Sequence, residues 1–286
     1  MHPKGPGMTA IRTQLKPATR RSGLSLDIWF APMALVFVAF VVMPLFALGW
    51  RAIESGELAS NVTSGLVLKA LRLSAITSTI ALALAVLFGT PLAYLLARRS
   101  FPGKAVVDVL IDLPLVLPPT VAGVALLVAF GRRGVFGSHI GGLGIDLAFT
   151  TTAVVLAQLF VAAPFYIRTV KAGFESVSTE FEGVAATLGV SPLQVFRRVN
   201  LPLAWPSLVA GAILCWARAL SELGATLVFA GNFSGRTQTM PLAIIGVFDA
   251  GKSVDVAIAL AVILVIVAAA LLFLLRLATR STGPVY

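Results

Sequence analysis

Of the 286 residues in this chain, 58% are hydrophobic and only 12% charged, and the mean hydropathy is +0.96; neither a soluble domain nor a disordered chain has this balance, so lipid is the solvent for most of it. The formal net charge of +10 would point to nucleic acid in a soluble protein, but here it is read first against the collection of Lys and Arg on cytoplasmic loops. The single cysteine, Cys215, lies in an apolar run and excludes an internal disulfide framework.

Residues 1–28 place Lys4, Arg12, Lys16, Arg20 and Arg21 among Pro, Gly, Ser and Thr. Too little apolar surface is present there to fold, which predicts a disordered basic tail, with residues 29–286 as a membrane domain. Residues 29–50 are almost uninterruptedly apolar and bracketed by Trp29 and Trp50; at about 1.5 Å per residue such a run crosses a bilayer core of about 30 Å. It is too long for a cleaved signal peptide, and no small-x-small cleavage site follows. Further apolar runs at 73–97, 106–130, 150–167, 205–230 and 256–277 predict about six transmembrane helices in all, with both termini on one side. That side receives the five tail cations, Arg98, Arg99, Lys104, Arg168, Lys171, Arg197, Arg198, Arg276 and Arg280. The other receives Arg51, Lys69, Arg72, Arg132, Arg133, Arg236 and Lys252, so the termini are expected in the cytoplasm.

Within the third run, Pro114, Pro118 and Pro119 remove backbone donors and clash with the preceding turn, so a kink or break is expected. Freed carbonyls cannot face hydrocarbon, which turns the break toward the bundle interior or a water-lined path; prolines are also common in membrane helices for purely structural reasons. Residues 131–144 are glycine-rich and read as an extracytoplasmic loop, where His139 has no second histidine with which to hold a metal. In the fifth run Arg218 and Glu222 stand four apart on one helical face, with Ser221 beside them. A mutually neutralising structural pair and a polar translocation path both fit embedded charges of this kind. Pro118, Pro119, Arg218, Ser221 and Glu222 are therefore the candidate pathway residues.

Between the fourth and fifth runs lies a polar insert, residues 178–202. Thr179 and Glu182 have the spacing of a capping box, and Phe181, Ala185 and Leu188 are placed on one face of a short helix that Gly189 stops. Ser191 offers a second N-cap, Pro192 fits the first helical position, and Phe196 and Val199 oppose Gln194, Arg197 and Arg198 until Pro202. Two short helices meeting at an elbow are predicted, forming a hairpin suited to a soluble partner. Arg197 and Arg198 also suit a DNA-reading helix-turn-helix, but a connection tied to membrane spans on both sides is poorly placed to dock in a groove; an amphipathic hairpin lying on the membrane is the plainer alternative.

Glu182, Ala185, Ala186, Gly189, Val199, Leu201 and Pro202 resemble the signature loop of membrane subunits of ABC importers: Glu-Ala-Ala, a spacer, Gly, nine residues, Ile, any residue, Leu-Pro, with Val199 standing for Ile. The resemblance implies an all-α membrane protein of the type I ABC importer permease fold, whose core spans about 69–277 and whose hairpin 178–202 packs against an ATP-hydrolysing subunit. Residues 113–123, 131–137, 217–232 and 235–244 are similar to the tetraoxyanion branch of these permeases, molybdate more than sulfate, thiosulfate or tungstate. By similarity, two copies of the chain form the pore, two ATPase subunits bind ATP and Mg²⁺ beneath it, and an extracytoplasmic oxyanion-binding protein delivers the anion. The membrane is expected to be the bacterial or archaeal cytoplasmic membrane.

The chain itself is expected to be no enzyme and to hold no cofactor, metal or nucleic acid. There is no His-Glu-x-x-His and no paired cysteine, Ser221 lacks an intramembrane His or Lys base, and no Walker-type loop ending in Gly-Lys-Ser or Gly-Lys-Thr is expected, so ATP is assigned to the partner. An ion-gradient carrier is the rival from another class; it needs ionisable residues at the midplane, and only Arg218 and Glu222 qualify.

Overall fold

The computed structural model describes residues 24–58, 64–144, 146–251 and 253–280; the predicted tail up to residue 23, and Lys252, lie outside the described residues. Every regular element among the described residues is helical. They are α1 (Leu24–Glu54), α2 (Gly65–Arg98), α3 (Lys104–Val116), α4 (Pro119–Phe130), α5 (Gly137–Gly141), α6 (Thr151–Ser176) and α7 (Glu180–Thr187). After these come α8 (Pro192–Val195), a π-helical turn (Phe196–Asn200), α9 (Leu201–Leu203), α10 (Trp205–Leu220), α11 (Gly224–Ala230), α12 (Met240–Asp249) and α13 (Val254–Arg280). The described residues fall into two compact units, those up to Ala47, which hold most of α1, and those from Leu48 on, which hold all that follows.

All six predicted runs fall on helices, but not on six straight ones. Trp29–Glu54 within α1, α2 and α6 are each long and apolar enough to cross a membrane. The third run is split into α3 and α4, which meet at a bend of 119°, so the prolines produce a full break. The fifth run, expected as one helix over 205–230, ends α10 at Leu220 and restarts as α11 at Gly224. The two residues after Glu222 explain the difference: Leu223 takes φ −127° and ψ −52°, outside helical geometry, and Gly224 packs against Pro119.

In the larger unit α2, α6 and α10 pack along a row of small residues. Ala70, Ser74, Thr77, Ser78, Ala81, Ala85, Gly89 and Ala93 recur every three or four positions on α2 and are buried. Lipid gives no hydrophobic drive for helices to associate, so close backbone approach supplies the van der Waals contact instead. A Cβ on Gly89 would stand 3.0 Å from the Tyr166 ring, and one on Gly211 3.2 Å from the Tyr166 carbonyl oxygen. Tyr166, fully buried, satisfies its hydroxyl with Thr90 at 2.6 Å. Helix starts follow the capping rules: Ser64 Oγ accepts from Val67 N at 3.3 Å, Thr150 Oγ1 from Ala153 N at 3.3 Å. The first turn of α12 is served across the bundle, where Met240 N donates to Ser74 Oγ of α2 at 2.8 Å.

Candidate functional site

Two places carry the candidate residues, one at each end of α10. That helix has 16 residues, which at about 1.5 Å each separates them by about 24 Å.

The first is the hairpin. Gly189 adopts φ +72°, the left-handed stop at which a side chain is strained. Ser191 caps α8 in a full capping box: its Oγ accepts from Gln194 N at 3.4 Å and its own N donates to Gln194 Oε1 at 3.2 Å. The expected capping box of the first helix does not form. Ser178 Oγ accepts from Glu180 N at 3.2 Å, and the Glu182 side chain turns away from Thr179 toward Arg98. The face assigned to Phe181, Ala185 and Leu188 is also divided: Ala185 is buried, whereas Phe181, Val184 and Leu188 form an exposed stripe continued by Leu193. Phe181 is 52% and Leu188 75% exposed. Val199 lies half-buried in the π turn, Leu201 half-buried and Pro202 exposed in α9; the Ala186 side chain lies outside the described part. A π turn directly before Pro202 is what a residue without N–H favours, since it cannot close an ordinary α turn.

The second place is where the two helix breaks abut. A Cβ on Gly224 would stand 2.7 Å from Pro119 Cβ, and one on Gly123 2.9 Å from the Ala225 Cα, so α4 and α11 touch at backbone distance. Non-helical backbone at membrane depth persists only where protein or a water-lined cavity receives it. Pro118 precedes α4 and Pro119 opens it. Glu222, 1% exposed, sits in the α10–α11 break. Its Oε1 accepts from Ala225 N at 2.8 Å, and its Oε2 lies 2.9 Å from Arg218 Nη2 as an ion pair outside hydrogen-bond alignment. Ser221 is exposed and donates to the Arg218 carbonyl at 3.1 Å. The structure thus gathers Arg218, Ser221 and Glu222 at one break and Pro118 and Pro119 at the other, with Gly224 as the join.

Three features have no place among the expectations drawn from the sequence. Asp108 and Asp112 of α3 face Arg168 and Lys171 of α6: Lys171 Nζ donates to Asp108 Oδ1 at 2.8 Å, and Arg168 pairs with Asp112. The signal was there, acidic residues at i and i+4 against cations at i and i+3, but only the cations entered the charge count. Arg98 and Asn200 meet Glu182, and Tyr94 meets Asn200, from distant parts of the chain, which no local spacing reveals. The expectation of no Gly-Lys-Ser loop is corrected by the letters themselves: residues 246–253, GVFDAGKS, spell the Gly-x-x-x-x-Gly-Lys-Ser pattern of phosphate-binding loops. That loop works between a strand and a helix, whereas Gly246 to Asp249 belong to the end of α12 and no strand precedes them among the described residues.

Comparison with known proteins agrees with this architecture. The chain is 43% identical over 243 residues to the molybdenum transport system permease protein ModB of Mycobacterium bovis, covering 84% of this chain and 90% of that one. It is 39% identical over 202 residues to the molybdate/tungstate transport system permease protein WtpB of Thermococcus kodakarensis, covering 70% and 76%. A solved chain of a bacterial ABC transporter involved in import of the acidic polysaccharide alginate shares the fold, with a TM-score of 0.72 over 91% of this chain and 96% of that chain at 16% identity. Residues 89–281 match the family described as binding-protein-dependent transport system inner membrane component, and the chain, a multi-pass membrane protein, belongs to that family.

Proposed function

We propose that the chain is the membrane subunit of an ATP-driven importer that moves a tetraoxyanion, molybdate first and tungstate next, across the cytoplasmic membrane. The relatives named for molybdenum and molybdate/tungstate transport support the substrate. One observation carries the mode of action: a hairpin outside the bundle keeps Phe181, Val184, Leu188 and Leu193 uncovered, an apolar stripe at helical spacing that needs a groove on a partner. That partner is a separate ATPase subunit holding ATP and Mg²⁺, present in two copies beneath two copies of this chain; an extracytoplasmic binding protein delivers the anion. ATP-driven closure of the ATPase pair moves the hairpin, and the difference in docking between states supplies the coupling free energy. The anion passes the two abutting breaks, one with Arg218, Ser221 and Glu222 and the other with Pro118 and Pro119. The decisive experiment is reconstitution with the ATPase and binding protein, followed by uptake of labelled molybdate, tungstate and sulfate; ATP-dependent uptake of sulfate alone refutes the substrate, and ATP-independent uptake driven by an ion gradient refutes the class.

Two expected results arise here. In the proposed orientation the termini and hairpin are cytoplasmic. A cysteine introduced at the exposed Thr187 should resist impermeant thiol reagents added to intact cells and react once the membrane is opened; the native Cys215 is buried and stays silent. Labelling from outside would invert the topology. At the elbow, Gly189→Val forces a branched residue to φ +72°, at a cost of about 1–3 kcal/mol. The protein should still insert into the membrane, while its affinity for the ATPase falls by about tenfold or more, measured by co-purification. Wild-type assembly and transport would remove the elbow from the docking surface.

A further inference from the structure

Glu182 does not share the outward face of the apolar stripe. Its Oε1 lies 2.9 Å from Nε of Arg98, the last residue of α2, and accepts from Nδ2 of Asn200 at 3.0 Å. The Arg98 side chain is only 7% exposed. Its Nη2 donates at 2.7 Å to the carbonyl of Val177, the residue that closes α6. Asn200, buried at the end of the π turn, also donates to Tyr94 Oη at 3.3 Å. The Tyr94 ring meets Phe174 of α6 edge-on at 5.3 Å and Phe196 of the π turn at 4.8 Å. One guanidinium and one phenol thereby join four pieces: α2, α6, α7 and the π turn.

The main chain by itself cannot hold the hairpin rigidly. It leaves α6 through a break at Val177 and Ser178, and it enters α10 through a 69° bend between Leu203 and Trp205. A push on α7 therefore reaches the spans through side chains or dissipates in those joints. An ion pair at the surface is too weak and too mobile for this task; here the Arg98 side chain is almost fully buried and anchored by Nη2 on Val177, and the Glu182 oxygen that faces it also accepts from Asn200, so the contact has a fixed direction and loss of Glu182 strands the buried cation.

We propose that Arg98, with Tyr94 and Asn200, forms a strut that transmits hairpin motion to α2 and α6, and that Glu182 serves inside this strut instead of contacting the ATPase. The proposal rests on the hairpin being the ATPase-docking element. Arg98, Tyr94 and Asn200 are positioning residues: they touch neither anion nor nucleotide.

The test uses the whole transporter in lipid vesicles, with the ATP hydrolysed per anion imported as the readout. In Arg98→Gln, Glu182→Gln and the double variant, that ratio should rise by at least about fivefold, to the same extent in all three because each removes the same link. Arg98→Lys, which keeps the charge but not the fork to Val177, should fall between wild type and Arg98→Gln. Uptake and hydrolysis falling together at an unchanged ratio would mean a merely structural contact and overturn the proposal. So would Glu182→Gln weakening ATPase binding while Arg98→Gln does not, since Glu182 would then face the partner. Failure of the docking reading itself shows elsewhere, in undiminished ATPase binding by a variant of the exposed stripe such as Leu188→Asp.

Discussion

Glu222→Gln should slow anion import by at least about tenfold without releasing the binding protein or the ATPase. The amide keeps an acceptor for the Ala225 N–H now bonded at 2.8 Å, so the start of α11 stays capped. What disappears is the negative charge 2.9 Å from Arg218 Nη2. A unit charge pair about 4 Å apart is worth about 4 kcal/mol at an effective dielectric of 20, so an unopposed Arg218 holds a passing dianion far longer than the neutral pair does. Even a third of that figure corresponds to about a tenfold change in dwell time. Arg218→Gln has a different consequence. It leaves a 1% exposed carboxylate with one backbone bond and no counter-charge, a loss of about 3–5 kcal/mol, and is expected to reduce the yield of assembled permease. Uptake and binding-protein-stimulated ATP hydrolysis measured for both variants decide the matter. If both are silent, the pair is a structural bridge and the path lies at the Pro118–Pro119 break alone.

The second large effect is expected at the hairpin. Phe181→Asp combined with Leu188→Asp should lower ATPase binding by about 100-fold or more, because burying two such side chains in a partner groove contributes about 3–6 kcal/mol and each carboxylate adds a desolvation cost. Both side chains are largely exposed in this chain, so the isolated permease should be made in normal amounts and show an unchanged thermal midpoint. Co-purification with the ATPase and ATP-dependent uptake are the measurements. A complex that forms as in wild type would leave the stripe to lipid or to another partner.

Much of the hairpin was legible in the sequence because its determinants are local. Gly189 takes the left-handed conformation that a helix stop before Ser191-Pro192 demands, and Ser191 caps α8 where its position indicated. Glu182 was misread for the opposite reason. Its spacing from Thr179 is that of a capping box, yet Arg98, 84 positions earlier in the numbering, offers a full charge where Thr179 offers a backbone N–H; the charged partner wins. Ala185 followed it inward, leaving Val184 to complete the exposed stripe.

The sequence by itself determined the solvent, the helical class, the places where lipid-length runs occur and the proline-driven interruption of the third run, since each follows from composition, from the rise of a helix and from the missing proline N–H. Only the tertiary structure decided that the fifth run also breaks, because Gly224 yields there to close contact with Pro119, more than one hundred positions away. It likewise decided which partner each carboxylate takes: Asp108 and Asp112 meet α6, Glu182 meets α2, and Glu222 serves the first turn of α11. A charge goes to its strongest available partner, and that partner is chosen by helix packing, which local sequence spacing does not encode.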